Sequence, residues 1–256
     1  METLLVERRD HVVTVTLNRP DKKNAVNGPM WQELLTVFGE VSRSSDDRVL
    51  VITGAGDAFC SGADLSGFSA ASPSQLSFMR GVGEVCKALH DIPKPTIAKV
   101  GGVAAGAGCN LALGCDLIVA SEDARFSEIF ARRGLSLDFG GSWLLPRLVG
   151  LHKAKELALL AEVISAKEAA EIGIVNRVVP AAELDAFVAG WAAKLAAGPP
   201  IALSLTKSML NNSMGVSFAQ AVEDEARSQT VNFGTGDLAE ALEAFAHKRE
   251  PRFEGR

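Results

Sequence analysis

The amino-acid sequence predicts an α/β protein with a helical C-terminal part, and three observations carry that prediction. Short β-branched runs alternate with helical stretches in the first half of the chain, two bends are dense in glycine and alanine, and beyond about residue 150 the pattern turns helical. Strands alternating with helices argue for parallel pairing rather than a meander.

Val12–Leu17 alternates and is rich in β-branched residues, so it reads as a strand, ended by Asn18-Arg19-Pro20. Residues 49–53, 96–100 and 117–120 read as three more strands. Between the first two, a helix is expected over 29–43, with Trp31, Leu34, Leu35, Val37 and Phe38 on its apolar side. Later helices are expected over 153–161, 166–172, 181–197, 200–211, 217–231 and 237–249. Ser165-Ala-Lys-Glu168 has the capping-box pattern, in which each side chain satisfies the other's backbone N–H. The chain divides into an α/β body over 1–197 and a helical region over 198–256, starting at Gly198-Pro-Pro200.

A length of 256 residues fits one large α/β unit, and 47% hydrophobic residues suffice for a sizeable core. The net charge of −5 argues against nucleic acid or an anionic membrane surface as the main partner, since both select a positive field. The N-terminus lacks an apolar run of signal-peptide length, and no segment approaches the roughly 20 apolar residues of a membrane span, so a cytoplasmic protein is expected. Cys60, Cys86, Cys109 and Cys115 show no metal or disulfide spacing and read as free thiols. The four histidines never pair at helical spacing, so no metal is expected.

The two bends run from Gly54 to Leu65 and from Gly101 to Asp116, each directly after a strand. Where such a bend opens a helix, the first N–H groups are unpaired and the positive end of the helix dipole lies behind them. Neither bend carries a dinucleotide or P-loop pattern. Two readings remain: close packing of helix on sheet, or an oxyanion hole with one donor from each bend.

The chain resembles the crotonase, or enoyl-CoA hydratase/isomerase, superfamily. The resemblance rests on four motifs in order: Asn18-Arg-Pro-Asp-Lys-Lys-Asn-Ala-Val-Asn27; Ile52-Thr-Gly with Phe59-Cys-Ser-Gly-Ala-Asp64; Lys94-Pro-Thr-Ile-Ala with Gly106-Ala-Gly-Cys; and Gly140-Gly-Ser-Trp-Leu-Leu-Pro-Arg147. It implies a spiral of ββα units, a helical C-terminal trimerisation region, a trimer or dimer of trimers, and acyl-CoA substrates. Coenzyme A then enters as part of the substrate and no further cofactor is implied. The oxyanion donors carried over are the N–H groups of Ala63 and Ala107. The positions matching coenzyme A contacts are Lys22, Lys23, Ala25, Ser61, Asp64 and Lys248, the last reaching toward a neighbouring subunit.

Members of this superfamily differ in the carboxylates beside the shared oxyanion hole. The two positions that hold glutamates in similar hydratases are Asn110 and Phe130 in this chain. Asp138 matches the aspartate that moves protons in the 1,2-epoxyphenylacetyl-CoA isomerases of phenylacetate breakdown and in dienoyl-CoA isomerases; by local pattern alone it reads as a turn or cap residue. One carboxylate suffices to shift a double bond, whereas hydration also needs an oriented water, so an isomerase is expected with Asp138 and Asn110 in the site. Two alternatives stand beside it. One is an enoyl-CoA hydratase that uses Glu128 as a reserve acid, a residue otherwise read as a solvated charge. The other is a degenerate coenzyme A-binding protein without turnover. Phe68, Phe130 and Phe139 are candidate acyl-pocket residues, although a hydrophobic stripe is more often core. The stretch 66–77, rich in Ser, Ala and Gly, reads as a mobile segment that bears on chain length.

Overall fold

A computed structural model describes residues 1–66 and 74–256. Phe68, and most of the stretch read as mobile, lie outside the described residues.

The chain opens with two antiparallel strands, β1 (Leu4–Arg9) and β2 (Val12–Leu17), followed by α1 (Gly28–Arg43). Helix α1 begins where Asn27 accepts the Met30 N–H at 3.1 Å, and it buries Met30, Trp31, Leu34, Val37, Phe38 and Val41. Three repeats of one plan follow. Each places a longer strand in a first sheet and a short strand in a second sheet, and then a helix. The first is β3 (Val49–Gly54), β4 (Ala58–Cys60) and α2 (Gln75–His90). The second is β5 (Thr96–Val100), β6 (Val103–Ala105) and α3 (Ala107–Leu113). The third is β7 (Leu117–Ser121), β8 (Arg125–Ser127), a 3-10 turn over Ile129–Arg133, and α4 (Gly141–Val149).

Then come α5 (Leu151–Leu160), β9 (Ile164–Ser165), α6 (Ala166–Glu171), β10 (Arg177–Val179) and α7 (Leu184–Ala196). Helices α8 (Pro200–Asn212), α9 (Phe218–Phe233) and α10 (Gly236–His247) complete the chain. The six-stranded sheet has the order β1-β2-β3-β5-β7-β10, and the four-stranded sheet β4-β6-β8-β9. All pairs are parallel except β1 with β2 and β8 with β9.

The strand and helix assignments made from periodicity hold, and the capping box is present, with Ser165 N–H donating to Glu168 at 2.8 Å and Glu168 N–H to Ser165 at 3.2 Å. The second sheet was not legible from periodicity. Its strands are two or three residues long, too short for an alternation to emerge. The first bend runs from β3 through β4, and the second from β5 through β6 into α3.

Strand β3 is buried on both faces, as a central strand in a covered parallel sheet must be. Leu50 and Ile52 face the main core with Val13, Val15 and Leu17, while Val49 and Val51 face Leu184, Val188, Ala192 and Ala196 of α7. The sheet is therefore covered on both faces, and β4 and β6 lie side by side in the second sheet. Among the described residues, no single helix is long and apolar enough to cross a membrane.

Helix α8 is tied to the body by a partly buried pair, Lys207 to Asp116 at 2.8 Å, with Asp116 also accepting from Thr96 N–H at 2.7 Å and Thr96 hydroxyl at 2.9 Å. Removing the cation leaves the partly solvated Asp116 carboxylate with only its Thr96 donors. Lys207→Met is expected to lower the unfolding free energy by about 1 to 2 kcal/mol in urea denaturation of the whole protein, between the exposed and the buried limits. A loss under about 0.5 kcal/mol, the size of an exposed pair, would mean the tie contributes little.

Candidate active site

Gly62 ties the two small-residue bends together. It has φ +103°, and a Cβ there would lie 2.9 Å from Ala105 O and 3.7 Å from Ala107 N. Only glycine lets the backbone of the first bend approach the second this closely. Ala63 forms a parallel bridge with Val26, in which the Val26 N–H donates to Gly62 O at 2.8 Å and the Asp64 N–H donates to Val26 O at 2.9 Å. Alternation along an extended chain then turns the Ala63 N–H away from residue 26. Ala107 is the first residue of α3, so its N–H has no intrahelical acceptor. Neither N–H has a hydrogen-bond partner among the described residues.

The turn that follows β2 docks on the first bend. Asn24, fully buried at φ 56°, donates its amide to Ala55 O and Ala58 O, each at 2.8 Å, and accepts from Arg19 N–H at 3.0 Å. The Ser61 N–H donates to Lys23 O at 3.0 Å, and Arg19 bonds both Ala25 O and the Asp64 carboxylate, the latter at 2.8 Å. Lys22, Lys23, Ala25, Ser61 and Asp64 are thus brought together, with the Lys22 and Lys23 side chains exposed. Bonds from Ser66 and from Arg19 hold the Asp64 carboxyl down at about 2, so it stays ionised and occupied. Arg19 and Asn24, which organise this corner, were not singled out from sequence, though both lie in the first motif. Lys248 ends α10 with φ 52°, exposed and without a side-chain partner among the described residues, so this chain alone does not join it to the others.

A buried polar cluster lies behind the bends. Asn110, fully buried on α3, donates its amide to the backbone carbonyl of Asp138 at 2.9 Å. Gly141 makes room for it: a Cβ there would sit 2.4 Å from Asn110 Nδ2. Among the described residues, the buried side-chain atoms lacking any partner are Asn110 Oδ1, Ser127 Oγ, both Glu128 carboxyl oxygens and Asp138 Oδ1. Native interiors pair such atoms, so their confinement to one spot marks that spot as built for something other than stability.

Burial pushes the Asp138 carboxyl up to about 6. Glu128 is raised further, to about 7, mainly by burial; Cys109 and Asn110 stand near enough to oppose the rise, and Asp138 adds to it. Neither neighbour is aligned as a hydrogen bond, which leaves both carboxyl oxygens bare. The reading of Glu128 as a solvated charge is therefore corrected. It is 3% exposed and lies between β8 and a 3-10 turn. Its carboxyl borders a cavity of about 10 Å³ that is otherwise lined by Cys109, Ser127 and apolar side chains from β8, α4, α5 and β9. Phe130 and Phe139 are also buried; Phe139 stacks on Trp31 at 5.4 Å and belongs to the main core.

A carboxyl whose folded pKa is raised weakens the fold as pH climbs from its unfolded value to its folded one, because the unfolded chain releases the proton first. For Glu128 that window runs from about 4.5 to about 7. Glu128→Gln is expected to shrink the loss of unfolding free energy between pH 5 and pH 8 by about 3 kcal/mol, read from urea denaturation at both pH values. An unchanged difference would show that the group is ionised throughout.

A ββα spiral whose two small-residue bends meet in front of a buried amide and acid cluster has the crotonase architecture that the motifs implied. Residues 7–256 match the family model described as enoyl-CoA hydratase/isomerase. The chain is 36% identical over 261 residues to the 1,2-epoxyphenylacetyl-CoA isomerase of Escherichia coli, covering 100% of both chains. It is 35% identical to the short-chain-enoyl-CoA hydratase of Clostridium acetobutylicum, covering 98% of this chain and 97% of that one. The crystal structure of an enoyl-CoA hydratase from Bacillus anthracis superposes with a TM-score of 0.95 at 32% identity, covering 99% of this chain and 100% of that one. The chain belongs to the enoyl-CoA hydratase/isomerase family.

Proposed function

We propose that this enzyme is an acyl-CoA isomerase: it holds the thioester oxygen on the Ala63 and Ala107 N–H groups and shifts a proton with Asp138. The observation that carries this reading is the half-buried Asp138, whose carboxyl desolvation raises toward neutrality beside Asn110, while the two positions held by glutamates in similar hydratases are Asn110 and Phe130. Removing an α proton from a thioester puts charge on its oxygen. Two fixed N–H donors at that oxygen lower the barrier by about 3 to 4 kcal/mol each, judged by what losing one costs elsewhere. A base near neutrality can then take the proton at one carbon and return it at another.

Lys22 and Lys23 are suited to the phosphates of coenzyme A, which a net negative protein must meet with local positive charge. The exposed Phe218 and Phe233 of α9 and Phe245 of α10 support a homo-oligomer built on the C-terminal helices, a trimer or a dimer of trimers. Light scattering of the purified protein tests this, and a monomer would refute it.

A second reading, enoyl-CoA hydratase, draws on the buried Glu128 and on the name of the Clostridium relative. The apolar cavity beside the Glu128 carboxyl has room for no more than about one water, which weighs against an acyl chain there. Two assays separate the readings. Conversion of a 3-enoyl-CoA to its conjugated isomer supports isomerisation, and loss of the conjugated absorbance of crotonyl-CoA supports hydration. Binding of coenzyme A with turnover of neither would leave a non-catalytic binding protein.

A further inference from the structure

We propose that Glu128 is a positioning residue: its carboxyl donates its O–H to Asn110 Oδ1, which keeps the Asn110 amide on the Asp138 carbonyl and so holds the Asp138 carboxyl in place. This rests on the reading of Asp138 as the proton carrier. Three elements meet at the proposed contact, with Asn110 on α3, Glu128 after β8 and Asp138 before α4. The amide end of Asn110 is already committed to the Asp138 carbonyl at 2.9 Å, and its carbonyl end is buried with no donor. Glu128 stands beside it, 3% exposed, with neither oxygen bonded.

Elementary accounting joins the two. An ionised carboxylate offers only acceptors and would leave Asn110 Oδ1 orphaned, whereas a carboxylic acid offers one donor, and a single bond then pairs Asn110 Oδ1 with one of the two bare Glu128 oxygens.

The titratable groups facing Glu128 are few. Cys109 faces it from α3, and burial keeps that thiol in its neutral form. Asp138 faces it from the segment before α4 and adds negative charge, which favours the acid form of Glu128. From β8, Phe126 and the Ser127 hydroxyl border it, and Leu145, Leu157, Ile164 and Ile174 close the remaining sides without charge. Cys109 and Asn110 pull Glu128 back toward the carboxylate, but burial outweighs them, and a carboxyl held near 7 remains largely protonated where Asp138, held near 6, has already ionised. The two groups thus divide the labour expected of a neighbouring pair, one as the base and one as a neutral donor.

The arrangement sets two limbs in the pH profile. Activity should rise as Asp138 ionises near 6 and fall again above about 7 as Glu128 loses its proton and the amide comes free. The pair couples electrostatically, so the limbs report the pair's joint titration.

The test uses the full chain with 3-hexenoyl-CoA as probe. Glu128→Ala is expected to lower kcat by about 10- to 100-fold with KM within about twofold, the signature of a misplaced reacting group with unchanged binding. Glu128→Gln, whose amide still donates but cannot ionise, is expected to lose no more than about threefold at pH 6 and to lack the alkaline limb. In protein labelled with 15N-asparagine, the Asn110 side-chain amide resonances should move with a midpoint near 7 in the wild type and stay flat in Glu128→Gln. Persistence of the alkaline limb in Glu128→Gln, or flat Asn110 resonances in the wild type, overturns the proposal. Should Glu128→Ala fail to fold, the Gln variant and the resonances decide. Should the wild type turn over no acyl-CoA, the isomerase reading fails, and the resonances alone still decide whether Glu128 grips Asn110.

Discussion

Asp138→Asn is expected to lower kcat for double-bond isomerisation by about 10²- to 10⁴-fold, the usual contribution of a positioned proton carrier. The substitution preserves shape and the backbone carbonyl that Asn110 grips, so the fold and KM should change little. The wild type carries its own control. Burial holds the Asp138 carboxyl at about 6, and only its ionised form can accept a proton. Below pH 6 the wild-type kcat/KM should therefore drop by about tenfold per pH unit, and the residual rate of the variant should not. Full activity in Asp138→Asn would remove this residue from the mechanism.

Gly62→Ala is expected to cost about 10²- to 10³-fold in kcat, as the loss of one oxyanion donor does elsewhere. The donors are main-chain groups, so no side-chain deletion can reach them. A Cβ at residue 62 can, because it would press to 2.9 Å from Ala105 O and lie 3.7 Å from Ala107 N at φ +103°. The bends must then separate, which moves the Ala63 and Ala107 N–H groups apart. The added left-handed strain costs about 1 to 2 kcal/mol of stability, so circular dichroism should still report a folded protein. Gly190→Ala, in mid-helix with open space around it, is the matched control and should leave kcat unchanged. A folded Gly62→Ala enzyme with wild-type kcat would show that the bends do not act together on one oxygen.

Much of the polar layout follows from local pattern. Asn27 caps α1 because its side-chain oxygen reaches the N–H three residues on, and Ser165 with Glu168 closes α6 in the same way. The longer strands declare themselves by β-branched alternation, and β3 by a continuous apolar run. Asp138 and Asn110 could be nominated from motif matches, but the structure joins them through the Asp138 carbonyl, not through its carboxyl. Glu128 was the hardest to read. Its neighbours Arg132 and Arg133 are exposed, and nothing within a few residues distinguishes a glutamate facing solvent from one facing Cys109 and Leu145.

The sequence by itself determined the longer central strands, the first helix and the C-terminal helices, the capping box of α6, the glycine positions that permit close backbone approach, and the residue types available for chemistry. These depend on residues within about one turn or one bend of each other, and so are written along the chain. Only the tertiary structure decided which groups lose water and which go unpaired: Glu128 buried, Asp64 tied to Arg19, Phe139 stacked on Trp31. Desolvation and partnering arise where β8, α3 and the approach to α4 converge, and a carboxyl's proton affinity follows from that convergence, not from its place in the sequence.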